Sequence, residues 1–125
     1  MVRFKNRYIL LDYSDLPTPE PPTERHLLTL IKHHLLDMHG DLLLAKVTFS
    51  LQIKYLQLGK ALLRVPRDHA QPVVAALFPD RHLKVKHISA TIRKSQERLL
   101  TLHRAELGHE LTPAQADMIN KIDYS

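Results

Sequence analysis

An α+β sandwich of order β-α-β-β-α-β, followed by two more helices, is the fold this sequence predicts, on three observations. Apolar and polar residues alternate over residues 46–55: Val47, Phe49, Leu51, Ile53 and Tyr55 against Lys46, Thr48, Ser50, Gln52 and Lys54. That is the pattern of a strand with one buried and one wet face. Leu27, Ile31, Leu35 and Met38 recur at helical spacing behind Thr23, a residue suited to start a helix. Thr112-Pro113-Ala114-Gln115 combines a capping box with proline at the first helical position, so another helix opens there.

The remaining elements fall around these. Residues 2–11 read as a strand, with Arg3, Lys5 and Arg7 on one face and Val2, Phe4 and Tyr8 on the other, until Ile9-Leu10-Leu11 runs apolar on both. Residues 14–22 hold Pro17, Pro19, Pro21 and Pro22 and form a stiff extended loop. Thr23 starts the first helix and Gly40 ends it. After the alternating strand, Gly59 turns the chain into a third strand, Lys60 to Val65, which Pro66 stops. Asp68 or Gln71 caps a short second helix ending near Phe78; Pro72 suits a first helical position better than a fourth, which leaves that start open. His82 to Ser89 reads as the fourth strand. A third helix runs from Thr91 to Leu107, with Ile92, Leu99 and Leu102 inward and Gly108 as its terminator. The order matches the split-βαβ, ferredoxin-like plan, with helices covering one face of an antiparallel sheet. The chain reads as one domain, 1–125, in which 14–22 is a proline-rich loop and 109–125 a C-terminal helical extension.

The charge is unevenly spread. The formal net charge is +5 and the pI near 9.6. Residues 12–24 hold four acids and no Lys or Arg, whereas residues 44–104 hold twelve Lys/Arg against three acids. A basic bias sustained over half a domain predicts a polyanionic partner. Nine histidines add charge near neutral pH. The absence of cysteine excludes disulfides and thiol chemistry. No apolar stretch approaches the ~20 residues of a membrane span, and the N-terminus lacks the long apolar region of a signal peptide. A cytosolic or nuclear protein with no membrane partner is expected.

Chemistry on the chain itself finds little support. His34 and His39, and His82 and His87, are spaced five apart, which splays each pair on a helix or strand, so no metal site is expected. No HExxH, glycine-rich phosphate loop or G-x-S-x-G is present. His33 and Asp37 are i, i+4 neighbours and read as a surface ion pair. Strand Lys60–Val65 has no aromatic on which a base stacks, which points to contact with phosphate rather than with bases.

The opening of the third helix carries the sharpest signal. Arg93 and Lys94 stand in its first turn, where the macrodipole disfavours cations but free N–H groups and two positive side chains suit a phosphate. The pair alone reads rather as a solvated first turn; the basic bias around it shifts the balance toward the anion.

Met1-Val2-Arg3-Phe4-Lys5-Asn6-Arg7-Tyr8, Ile53-Lys54-Tyr55-Leu56, Leu62-Leu63-Arg64-Val65-Pro66-Arg67 and above all Ala90-Thr91-Ile92-Arg93-Lys94-Ser95-Gln96 resemble the small Pop-five-type protein subunits of ribonuclease P, in the eukaryotic branch that ribonuclease MRP shares. The resemblance spans roughly residues 1–105. It implies a ferredoxin-like, RRM-like fold with added helices. It further implies a non-catalytic subunit of a nuclear, nucleolar ribonucleoprotein that removes the 5′ leader of precursor tRNA and processes rRNA. By the same resemblance the RNA performs the chemistry with its own Mg²⁺, and no cofactor belongs to the chain. The implied partners are ribonuclease P RNA, MRP RNA, a TIM-barrel-like subunit and a small paralogous subunit.

For RNA contact the chosen residues are Arg93 and Lys94, then Arg3, Lys5 and Arg7, then Lys54, with Arg98 and Arg104 extending the track along the third helix. Lys46, Lys60, Arg64, Lys84 and Lys86 read either as further contacts or as a solvated sheet face. Leu56, Leu58 and the proline loop are candidate protein contacts. The competing readings are an acylphosphatase-like enzyme, which the acidic loop after strand one disfavours, and an assembly module that meets protein but not RNA.

Overall fold

Four strands form one antiparallel sheet: β1 (Asn6–Asp12), β2 (Gln52–Gln57), β3 (Lys60–Pro66) and β4 (Lys84–Ser89), in the order β2-β3-β1-β4. The helices are α1 (Glu24–Val47), α2 (Ala70–Leu77), α3 (Ile92–Leu107) and α4 (Pro113–Asn120). The computed structural model describes residues 5–17, 20, 22–108 and 112–122. The α+β, ferredoxin-like order with two extra C-terminal helices is the predicted one.

Helices cover both faces of the sheet, not one. Ile9, Leu11, Ile53, Leu63 and Val65 pack with Leu27, Ile31 and Leu35 of α1 and Val73, Ala76 and Leu77 of α2. Tyr8, Leu10, Tyr55 and Leu62 pack with Ile92 and Leu99 of α3 and with Ile119 and Ile122 at α4. A central strand buried on both sides must be apolar on both sides, which is why β1 loses its alternation at Ile9-Leu10-Leu11.

Thr23 caps α1 as expected, its hydroxyl accepting from the His26 N–H at 3.1 Å. Gly40 interrupts that helix with φ 81°, but the helix resumes and runs on to Val47. The strand expected at 46–55 is therefore β2 at Gln52–Gln57 only. Val47 and Leu51 are both buried, but Val47 ends α1 and Leu51 closes the turn that follows, its N–H donating to the Val47 carbonyl at 3.0 Å. Residues four apart satisfy a helix as well as a strand, and Phe49 between them is left 97% exposed. Met38, expected inward, is exposed as well.

Within β2 the register slips between Ile53 and Tyr55. The slip turns Ile53 to the α1/α2 side and Tyr55 to the α3 side, although strict alternation places them together. β2 and β3 join through Leu58 and Gly59, both with positive φ (52° and 81°), the two-residue turn whose twist suits a hairpin. A Cβ on Gly59 would stand 3.1 Å from that of Ser14, so the position is tight as well as left-handed. α2 follows a 3₁₀ turn, Arg67–His69, and starts without a side-chain cap. Pro72 is its third residue, still within the first turn where an N–H has no helical partner. The fourth strand begins at Lys84, two residues later than expected.

Candidate nucleic-acid interface

The candidate interface depends on how α3 is seated. Thr91 caps its start, accepting from the Lys94 N–H at 3.3 Å, and Gly108 ends it in the left-handed region with φ 71°. Ile92, Ser95, Leu99 and His103 are its buried positions, a stripe that is half polar; Leu102 is only partly buried. Gln96 holds α4 against α3 by donating to the carbonyls of Ile119 and Asn120 at 3.1 and 3.3 Å.

Beneath the C-terminal half of α3 lies a polar seam. Lys60, read from sequence as a sheet-face cation, is wholly buried, its Nζ 3.2 Å from Asp12 Oδ2 and 2.5 Å from Glu106 Oε1. A buried ammonium needs such partners, and two carboxylates supply them. Burial pushes the Asp12 carboxyl up, but hydrogen bonds from the Ser14 hydroxyl and amide, and then Lys60, outweigh it and leave it below the usual value. His103 Nε2 meets the Tyr55 hydroxyl at 3.0 Å. Burial, then the Lys60 charge, holds the His103 imidazole below its usual value against an opposing pull from Glu106. Burial, with some help from Tyr13, pushes the Tyr55 phenol up to about 12.

With α3 fixed in this register, its Lys94, Arg98 and Thr101 stand at i, i+4 and i+7 beside β4. Together with Glu97 and His87 of β4 they line an open groove of about 340 Å³. Neither the Lys94 nor the Arg98 side chain has a carboxylate partner among the described residues, so both cations are available to an anion. At the helix start, where the sequence predicts an anion, the groups expected to be free are partly engaged. The Thr91 hydroxyl occupies the Lys94 amide, and Arg93 lies 3.8 Å from Glu97 in an i, i+4 pair. The unpaired charge sits one turn along, on the Lys94–Arg98 stripe, rather than on adjacent residues. His87 and Thr101 line this groove without being among the residues the sequence singles out for RNA. The i, i+4, i+7 spacing from Lys94 would have found Thr101, whereas His87 joins only through the pairing of β4 with β1, opposite Leu10 on the α3 face.

The other chosen residues are dispersed. The start of β1, the ends of β3 and β4 and the first turn of α3 meet at one end of the sheet, because Tyr8 pairs with both Arg64 and Ser89. Lys5 and Arg7 lie at that end, with the Arg67 N–H donating to the Lys5 carbonyl at 2.9 Å. Alternation sets Arg7 on the side of Ile9 and Leu11, away from α3. Arg3 lies outside the described residues. Lys54 is on β2, the sheet edge opposite β4, and Arg104 is in the last turn of α3, at the other end from Lys94. Beside the α3 start, Arg64 Nε and Ser89 Oγ are buried with no hydrogen-bond partner among the described residues.

Among the described residues the sheet offers no aromatic for base stacking. Tyr8 and Tyr55 are 8% and 6% exposed, covered by α3. Among the described residues no group of three or more His or acidic side chains offers a metal site. His33 and Asp37 form the expected surface pair at 3.3 Å. His34 bridges to Asp80 at 2.7 Å and His39 to the Pro72 carbonyl at 2.8 Å, so these two histidines tie α1 to the α2 region. No helix among the described residues is long and apolar enough to cross a membrane.

Residues 7–100 match the model of the Rpp14/Pop5 family. The chain is 30% identical to the ribonuclease P/MRP protein subunit POP5 of Schizosaccharomyces pombe, over 86% of this chain and 91% of that protein.

Proposed function

The chain belongs to the Rpp14/Pop5 family, and on that premise we propose that it is a non-catalytic protein subunit of the ribonuclease P and MRP ribonucleoproteins. It braces the catalytic RNA for 5′-leader removal from precursor tRNA and for rRNA processing, in the nucleus and nucleolus. The observation that carries this reading is the pair of unpartnered cations, Lys94 and Arg98, beside His87 in an open groove. A groove with cations and no stacking aromatic suits phosphate, so the contact follows RNA shape and backbone rather than base identity. In this proposal the Mg²⁺ and the bond cleavage belong to the RNA. The TIM-barrel-like subunit and the small paralogous subunit are the protein partners expected alongside it.

The test is to tag the protein in its native host, purify it at moderate salt and sequence the RNA that accompanies it. Enrichment of ribonuclease P RNA, MRP RNA or both is expected. With the purified RNA, Lys94→Ala and Arg98→Ala should each weaken binding and lower the slope of log affinity against log salt by about one. Phe49 and Phe78, 97% and 85% exposed, favour a second reading, an assembly module without direct RNA contact. That reading holds if no RNA is enriched and if binding to the protein partners ignores salt and both substitutions.

A further inference from the structure

The groove between α2 and β4 does not belong to the cationic site. β4 is the last strand of the sheet, so one side of its backbone presents N–H and C=O groups to no strand among the described residues. On the α2 side of that edge, Val74, Leu77, Leu83 and Val85 floor a groove of about 290 Å³. Phe78 at its rim is 85% exposed. Lys84 and Lys86 flank it on β4, and Arg81 and His82 are exposed just ahead of the strand. Asp80, the acid lining the groove, is committed to His34 and to the His82 N–H. Lys84 already holds an acid, Asp15, at 3.1 Å, while Lys86 makes no ion pair among the described residues.

We propose that this edge and groove receive an extended segment of a partner protein that alternates apolar with acidic residues, added to the sheet beside β4. An open edge demands alternating donors and acceptors at strand spacing, which a polypeptide supplies and RNA does not. The apolar floor between strand and helix takes every second side chain. The lysines choose acids for the others. They also disfavour a second copy of this chain, since two such edges bring four lysines into one seam. The inference rests on the proposed function only in taking the native ribonucleoprotein as the source of the partner.

The experiment replaces Phe78 with a photo-crosslinking analogue, Phe78→benzoylphenylalanine, in the full tagged chain in its host. Crosslinked peptides are sequenced, and amide exchange of residues 84–88 is compared between the purified assembly and the free chain. The expected result is a crosslink to a protein segment alternating apolar residues with Asp or Glu, together with slowed exchange along β4. Lys84→Glu/Lys86→Glu should reduce the crosslink about tenfold. A crosslink to RNA, to a second copy or to a basic segment, no crosslink, or unchanged exchange overturns the proposal. RNA in the same preparation is scored separately: its loss counts against the ribonucleoprotein reading and leaves the crosslink result standing.

Discussion

The sheet's two faces are buried by different chemistry. Against α1 and α2 the contacts are Leu, Ile, Val and Ala, together with Tyr13. Against α3 two of the helix's four buried residues, Ser95 and His103, are polar, and a buried Lys60 is clasped between Asp12 and Glu106. Apolar burial is non-directional and scales with area. Hydrogen bonds and ion pairs reward one register only. The second face is thus the one whose geometry matters outside the core, because the seating of α3 decides whether Lys94 and Arg98 stand beside His87.

The largest effect separates the faces by stability. Leu63→Ala, on the α1/α2 side, should cost about 2–5 kcal/mol, read as a lower urea midpoint with the slope unchanged. A loss below 1 kcal/mol would mean that this face is not the main source of stability. On the other side, Asp12→Ala leaves the Lys60 ammonium buried with Glu106 alone and should cost about 3 kcal/mol. Asp12→Leu/Lys60→Met should recover most of that loss yet speed amide exchange along residues 95–106. Recovery without faster exchange would show that apolar contacts alone hold α3 in place.

His103 is held below its usual value, so the folded state prefers the neutral ring while the unfolded chain takes the proton more readily. Its contribution is fully present above the unfolded value, about pH 6.5, and is lost as the pH falls toward the depressed folded value. Asp12, also lowered, contributes above the ordinary aspartate range and is lost only in stronger acid. A melting curve repeated from pH 7 to pH 5 should therefore fall for the native chain and fall less for His103→Gln. Equal slopes would remove His103 from the account. The smallest effect belongs to the hairpin. Leu58→Asn relieves a left-handed leucine and should stabilise by up to about 1 kcal/mol, measured by thermal unfolding.

Where local chemistry decides, the sequence was readable. The Thr91 hydroxyl caps the start of α3, Gly108, which lacks a Cβ, ends it in the left-handed region, and the Thr112–Gln115 box opens α4. Where two periodicities agree, it was not. Val47 and Leu51 fit both a strand and a helix, and only the α1 register chose between them. Lys60 looked solvated because its partners, Asp12 and Glu106, lie 48 and 46 positions away. The candidate groove was half legible: Lys94 and Arg98 stood out by their places along the third helix, while His87 reached them only through strand pairing.

The order of the elements has a consequence for the chain as it is made. By Ser89 the sheet and the α1/α2 layer are complete, but Tyr8, Leu10, Tyr55 and Leu62 still face water, and Lys60 lacks Glu106. At a synthesis rate of about 5–20 residues per second, residues 90–122 take about 2–7 s to follow. Until residues 90–122 have followed and docked, the nascent protein shows an apolar patch of leucine and tyrosine that the finished one hides.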